Sequence, residues 1–573
     1  MRVDSFLALI AISSLVNAAC YHPSPAFPLP SLDPSDPILR AAFARISNAA
    51  ALLVAAPEYD DHSYSIEVTS SNQSLWSAHH TAREKNKDGR GVDKVDGDTV
   101  YRIASITKTF TVLGLLYEAA AGNLSLDDTV DMYLDDLSGK RGGQIPWKDI
   151  TLRSLASQLS GIPREFAQSD LMNTLKDPVS WGLPPVDRKG LVKCDEYADY
   201  HPPCDVEDLI DSITSKPPLF APNQRSTYSN VAFELLGLVI ANTSQSSYIS
   251  YVEEAILQPL SMSRSAVTKP PDSHGIIPNG FQFWDIDLGV QTPTGAVYSS
   301  SSDLSKFLRY ILNYYNGITH ATNWLQPASW AEGLQSFYGM PWEIFRTDEI
   351  LASRRPVTFA TKSGGLPGYA SLIFLLQEYD IGITILDAGG RAPLLFKLRD
   401  IVTVEVVRAA EEVALKKLER YTGNYVATET DLNSSLTLSV DLHGLSVTHF
   451  VSNGTDMLDS VIPNFPGIEG PWRAQLTPTL LFKDEENQEG ELWRLQVVPE
   501  KTEGEGDEGK SIWDNFCVTD VDSLTYGGVP LQEFVFWEDE EGVVEGLDLS
   551  AFRLKTRRLV GSTDREEAQQ ELR

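Results

Sequence analysis

Apolar positions along this chain fall into runs of two textures. Residues 109–121 and 231–240 are apolar almost throughout, the pattern of helices buried on most sides. Residues 357–361 and 371–376 are shorter runs on either side of Lys362-Ser363-Gly364-Gly365, which reads as a strand, a glycine turn and a second strand. Residues 397–420 are amphipathic. Beyond about residue 415 the texture changes. Short alternating runs at 436–440, 445–447 and 492–498, separated by Gly, Asn and acidic turns, predict an antiparallel β domain, a small barrel or a sandwich. A chain of 573 residues is too long for one core, so two domains are expected, over 39–414 and 415–573.

The first residues show a different pattern. A basic start at Met1-Arg2, an apolar stretch at 6–12 and small residues up to Ala18 and Ala19 predict a signal peptide over 1–19, followed by an arm over 20–38. No other segment reads as long and apolar enough to span a bilayer. Secretion is the expected route, and five sequons, at Asn72, Asn123, Asn242, Asn433 and Asn453, fit it as glycosylation acceptors. A formal charge of −32, with acidic clusters at 484–486, 503–508 and 538–541, disfavours nucleic acid and anionic membranes as partners. Nothing in the sequence sets the oligomeric state.

Four cysteines follow the predicted cleavage point: Cys20, Cys194, Cys204 and Cys517. In an oxidising compartment they make two disulfides. The close pair Cys194 and Cys204 is expected to staple the Pro-rich stretch 165–215, leaving Cys20 for Cys517, although three pairings are open. Their spacing does not suit zinc, and His79-His80 has no further ligands nearby, so neither a metal nor a cofactor is expected.

Candidate chemistry begins at Ser105-Ile106-Thr107-Lys108. Residues three apart share a helix face, so a hydroxyl and an amine meet at the opening of a core helix, where free amides and the helix dipole favour a developing oxyanion. A serine can be activated there without a histidine. Tyr228-Ser229-Asn230 precedes the second apolar helix, and Lys362-Ser363-Gly364-Gly365 supplies another ammonium group beside glycines that let a ligand approach the backbone. No Gly-x-Ser-x-Gly elbow is present.

Those three motifs, in that order, resemble the serine β-lactamase and penicillin-binding-protein superfamily, closest to its class C and esterase-like branch, which carries Tyr-x-Asn. The stretches 122–128, 150–155, Ser160-Gly161-Ile162-Pro163 and Leu257-Gln258-Pro259-Leu260 extend the likeness over about residues 40–410. The chain looks like fungal secreted members with an added C-terminal domain. Residues 421–425 look like the opening of the lipocalin-like tail behind some of them.

The resemblance implies an α+β sandwich, an antiparallel sheet flanked by helices with an all-helical lobe. It implies Ser105 as the acylated nucleophile, Lys108 and Tyr228 as its proton partners, and Asn230, Lys362 and Ser363 as substrate contacts. Amides of Ser105 and Gly365, beside Gly364, would form the oxyanion hole. Which of Lys108 and Tyr228 takes the proton stays open. Ser363 stands where many members have Thr. The span from Ser105 to Tyr228 is longer than in compact β-lactamases, and the extra stretch 165–215 is expected to cap the cleft.

The expected activity is a serine hydrolase cleaving a small-molecule or peptide ester or amide. An acyltransferase or cyclising enzyme of fungal secondary metabolism would use the same residues. A binding protein that does not turn over is the reading of another class. The intact motifs speak against it.

Overall fold

The computed structural model describes residues 29–559, apart from 139–142, 168–169, 174, 190, 193, 195–200, 316–323, 391–392, 430–431, 465–470 and 500–523. The predicted signal peptide, Cys20 and Cys517 lie outside the described residues.

The chain divides into two compact units, one of Ser31–Leu351 with Pro356–Ala410, the other containing Ala352–Arg355 and the chain from Glu411 onward. In the first, strands β1 (Ser63–Thr69) and β2 (Ser74–His80) precede a short pair, β3 (Val100–Arg102) and β4 (Tyr298–Ser300). Strands β5 (Ser329–Trp330), β6 (Ser336–Tyr338), β7 (Glu343–Thr347), β8 (Val357–Leu366), β9 (Tyr369–Leu376) and β10 (Ile381–Ala388) follow. Eight of them form one antiparallel sheet in the order β2-β1-β10-β9-β8-β7-β6-β5. Every residue of β1 and β10 is buried, as central strands covered on both faces require. This is the mixed helix-and-sheet architecture that the resemblance implied.

Helix Pro37–Val54 starts on an Asp36 cap, whose carboxylate accepts from the Ile38 amide, and on a proline at its first position. By length and composition it could cross a bilayer, which corrects the expectation that no segment past the first residues could. Its apolar stripe, with Leu39, Phe43, Ile46 and Val54, is buried instead, Phe43 stacking on Trp76 at 5.4 Å.

Helix Thr107–Ala120 is buried at every position from 107 to 116, which is why its sequence is apolar all round. Helix Val231–Ser244 is buried at every position from 231 to 237. Both belong to a single core in which Phe110 stacks on Phe307 at 4.2 Å.

One expectation needs correcting. Lys362 to Gly365 lie inside β8, not in a turn. The chain reverses at Pro367-Gly368, where Gly368 takes φ +82°, and Leu366 pairs with Tyr369. At the end of the 165–215 insertion the chain packs back into the core. Helix Val206–Thr214 turns Leu209, Ile210 and Ile213 into the core, and the buried Cys194 and Cys204 beside it are disulfide-bonded, Cα atoms 5.1 Å apart.

In the second unit, eight antiparallel strands close into a barrel, because Ser435–Asp441 pairs with both Gly423–Ala427 and Gly444–Ser452. Its interior is filled with side chains, Trp493, Phe534, Phe536 and Leu547 among them.

Candidate active site

Strand β3 delivers the chain to Ser105 and is anchored from within. The buried guanidinium of Arg102 donates to the carbonyls of Phe283 and Ile286, at 2.6 and 2.8 Å, and to the Tyr298 hydroxyl at 2.9 Å. A tight turn then covers Ala104–Ile106 before helix Thr107–Ala120 begins. Ala104 takes φ +49° there, a left-handed conformation costing roughly 1–3 kcal/mol in a residue with a Cβ. This bend presents Ser105 at the mouth of the helix with its side chain half-buried.

Lys108 lies one turn further on. Its Nζ is fully buried and donates to Ser105 Oγ at 3.0 Å and to the Thr294 carbonyl at 2.9 Å. The Tyr228 phenol, from the loop before helix Val231–Ser244, is within hydrogen-bonding reach of both Ser105 and Lys108. Around its ring stand three cations, Lys108 Nζ at 5.2 Å, Lys362 Nζ at 5.3 Å and Arg164 Cζ at 4.7 Å from the centroid. Burial alone would raise the phenol's pKa. The charges of Lys108 and Lys362, with the Ser105 hydrogen bond, outweigh it and bring Tyr228 to about 8. Burial, helped by the charge of Lys362, holds Lys108 below the ordinary lysine range.

Lys362 is buried too, yet moves the other way. Burial would lower it, but Glu343 of β7 accepts from its Nζ at 2.5 Å and holds it above the ordinary range. The second oxygen of Glu343 accepts from the Ser363 amide at 2.9 Å. Amides two apart in a strand point the same way, so that of Gly365 faces the same side as that of Ser363. Strand β7 begins at Glu343, opposite Thr361, so it offers Gly365 no ladder partner. That amide is placed as an anion donor.

The two glycines differ in their reasons. A Cβ on Gly364 would stand 2.2 Å from the Ile103 carbonyl and 3.0 Å from the Ser105 amide, so β8 presses against the nucleophile turn only because the position is bare. A Cβ on Gly365 would meet nothing within 4 Å. Open space lies there, beside Ser105.

Asn230 stands beside Glu165. Its amide donates to Glu165 Oε1 at 2.5 Å, while its own buried carbonyl oxygen has no partner. Burial raises the pKa of Glu165 against the opposing pull of Asn230 and Arg164. Behind it Glu234 is fully enclosed with neither carboxyl oxygen hydrogen-bonded, and burial, with Glu165 adding, pushes it far above the carboxylate range.

A family model described as "Beta-lactamase" matches residues 56–392, and one described as "Beta-lactamase-like-like, C-terminal domain" matches 414–559. The chain belongs to the β-lactamase family. It is 31% identical to "Probable hydrolase M10" of a Phoma species over 97% of this chain and 93% of that protein. It is 30% identical to "Probable hydrolase clz13" of Cochliobolus lunatus over 98% and 96%. Among solved structures, a class C β-lactamase aligns at 16% identity over 65% of this chain and 97% of its own, with a TM-score of 0.48.

In this β-lactamase-like hydrolase, Ser105, Lys108, Tyr228, Lys362 and Gly365 converge on one place, while Asn230 reaches it beside Glu165. Ser363 touches the site through its amide and through its carbonyl, which accepts from Lys362 at 2.8 Å. Sequence reasoning missed Glu343 and Glu234. The one available signal was Glu234 itself, an acid inside an apolar helical run, four residues after Asn230. All five sequon asparagines are exposed, although the side-chain amides of Asn123 and Asn242 are engaged by Glu118 and by the Tyr133 carbonyl. Among the described residues, the cluster Cys194, Cys204 and Asp208 offers no thiolate to a metal, because its sulfurs are bonded to each other.

Proposed function

We propose that this protein is a secreted serine hydrolase that cleaves an ester or amide through an acyl-enzyme on Ser105. The observation that carries the reading is a hydroxyl held by Lys108 Nζ at 3.0 Å, beneath a phenol that two ammonium groups bring to about 8. A phenolate near neutrality is a base matched to its task.

Ser105 Oγ attacks the carbonyl carbon, and its proton passes into the Tyr228 and Lys108 network. The carbonyl oxygen, now negative, lies between the amides of Ser105 and Gly365. Losing one such donor costs ~3–4 kcal/mol of barrier. The bond to the leaving oxygen or nitrogen breaks as Tyr228 hands it the proton. Water then attacks the ester on Ser105, gives a proton to the same network, and frees the acid and the serine. Lys362, fixed by Glu343, keeps a positive field on the phenol throughout. The predicted signal peptide and five exposed sequons support a secretory route.

The test is a serine-directed acylating probe and short-chain nitrophenyl esters, with intact mass read on wild type and Ser105→Ala. An adduct and turnover that both vanish in the variant are expected. Equal labelling of the variant would remove Ser105 from the mechanism. An adduct that clears only when an alcohol or amine is added would make the enzyme a transferase.

A further inference from the structure

Of the three cations around the Tyr228 ring, Arg164 has no step in the proposed reaction. Its backbone is strapped to the start of helix Val231–Ser244. The Arg164 carbonyl accepts from the amides of Asn230 and Val231, at 2.8 and 3.3 Å, and the neighbouring Pro163 carbonyl accepts from Ser229 Oγ at 2.7 Å. Ser229, Asn230 and Val231 directly follow Tyr228 in the chain, so the arginine and the phenol are carried on one piece of backbone.

The side chain is held at two points. Its Cζ lies 4.7 Å from the Tyr228 ring centroid, and its Nε pairs with Glu165 Oε1 at 3.3 Å. Glu165 divides its charge between this guanidinium and the Asn230 amide, which donates to the same oxygen at 2.5 Å. Among the described residues the two terminal nitrogens of Arg164 have no hydrogen-bond partner, and the side chain is 59% exposed. With Nε turned to Glu165, the fork of Nη1 and Nη2 remains, and it matches the two oxygens of a carboxylate. The lysines of the site offer no such surface. Both are buried, Lys108 donating to Ser105 and the Thr294 carbonyl, Lys362 to Glu343 and the Ser363 carbonyl.

We infer that Arg164 anchors the substrate, and that the ester or amide cleaved at Ser105 carries a carboxylate held by the Arg164 fork. The inference rests on the acyl-enzyme reading and adds the substrate's charge to it. A neutral substrate gains nothing from the fork, whereas a carboxylate takes two charge-assisted hydrogen bonds from a group fixed against the catalytic ring, which orients the scissile carbonyl as well as binding it. In a chain of formal charge −32, long-range attraction does not gather anions, so selection for one has to come from a contact of this kind.

The experiment uses two pairs of esters, each with a charged and a neutral member. Mono-4-nitrophenyl adipate with 4-nitrophenyl hexanoate puts the carboxylate on the acyl side, and 3-acetoxybenzoate with phenyl acetate puts it on the leaving side. Within each pair the ratio of kcat/KM, charged over neutral, is compared among wild type, Arg164→Met and Arg164→Lys, so that intrinsic reactivity cancels. In at least one pair Arg164→Met should lower this ratio by roughly ten- to hundredfold, and Arg164→Lys by less. An unchanged melting temperature checks the folding of each variant. A guanidinium acting only as a third charge on the phenol would change both members alike and move their common pH midpoint. That result, or an unchanged ratio in both pairs, would overturn the inference.

If no ester turns over and Ser105 takes no probe, the acyl-enzyme reading fails. The arginine is then judged alone, by saturation-transfer NMR of benzoate and benzamide on Ser105→Ala. Transfer that favours benzoate and is abolished by adding Arg164→Met supports a carboxylate anchor. Absent transfer, equal transfer to benzamide, or transfer that survives the substitution rejects it.

Discussion

Two tyrosines, one in each unit, show what surroundings do to the same phenol. In the barrel Tyr421 packs among rings, with Trp493 at 5.0 Å and Phe536 at 4.9 Å, and its hydroxyl donates to Glu491 at 2.7 Å. Burial, then the Glu491 charge, drives its pKa far above the ordinary range. In the catalytic unit Tyr228 is flanked by cations, and although burial again pushes upward, Lys108 and Lys362 bring it to about 8. Burial has the same sign in both. The sign of the neighbouring charges makes one tyrosine structural and leaves the other able to move a proton.

The largest expected effect comes from breaking the cationic side of this contrast. Lys108→Met keeps the bulk of the side chain but removes the ammonium that holds Ser105, and should lower the acylation rate by ~10³-fold or more, read by stopped-flow labelling. On the aromatic side, Trp493→Ala empties a fully buried position and should destabilise the barrel by about 3–5 kcal/mol in denaturant unfolding. Below its melting temperature, labelling of Ser105 should proceed at the wild-type rate.

A smaller effect separates the two glycines. Gly364→Ala forces its methyl group into the Ile103 carbonyl and should cost about 1–3 kcal/mol of stability together with most activity. Gly365→Ala meets open space, so its stability should stay within ~1 kcal/mol while large acyl groups lose kcat/KM. The smallest change is a displacement on the pH axis. With phenolate as the base of the proposed reaction, acylation should rise with pH through about 8 in the wild type. Lys362→Met deletes one of two stabilising charges, so the midpoint should move upward toward the ordinary phenol value of ~10, whereas Tyr421→Phe should leave it in place.

The parts of the site readable in the sequence were those set by local geometry. Ser105 and Lys108 are three apart on a helix, and Tyr228 and Asn230 stand where an apolar helix begins. Their approach follows from backbone geometry once the helices form. Glu343 was not legible, because it meets Lys362 only through the pairing of β7 with β8, nineteen positions away in the chain. The glycine pair was misplaced for a related reason. Gly-Gly between two apolar runs reads as a turn, but the demand on Gly364 comes from the Ile103 and Ser105 backbone, about 260 residues earlier. Closure of the barrel likewise depends on joining Gly423–Ala427 to Leu554–Arg558, which alternation cannot announce.

What the sequence alone determined was the inventory and its local order: two folding units, a nucleophile at a helix mouth, two lysines, one tyrosine and the family these motifs resemble. Tertiary structure decided which charges face which group. That had to be so, because periodicity records whether a side chain is buried, whereas a Coulomb interaction falls with distance and changes sign with the partner. Only the folded chain sets those distances. It puts Glu343 on one lysine, leaves the other beside a serine, and thereby brings down the pKa of a buried phenol.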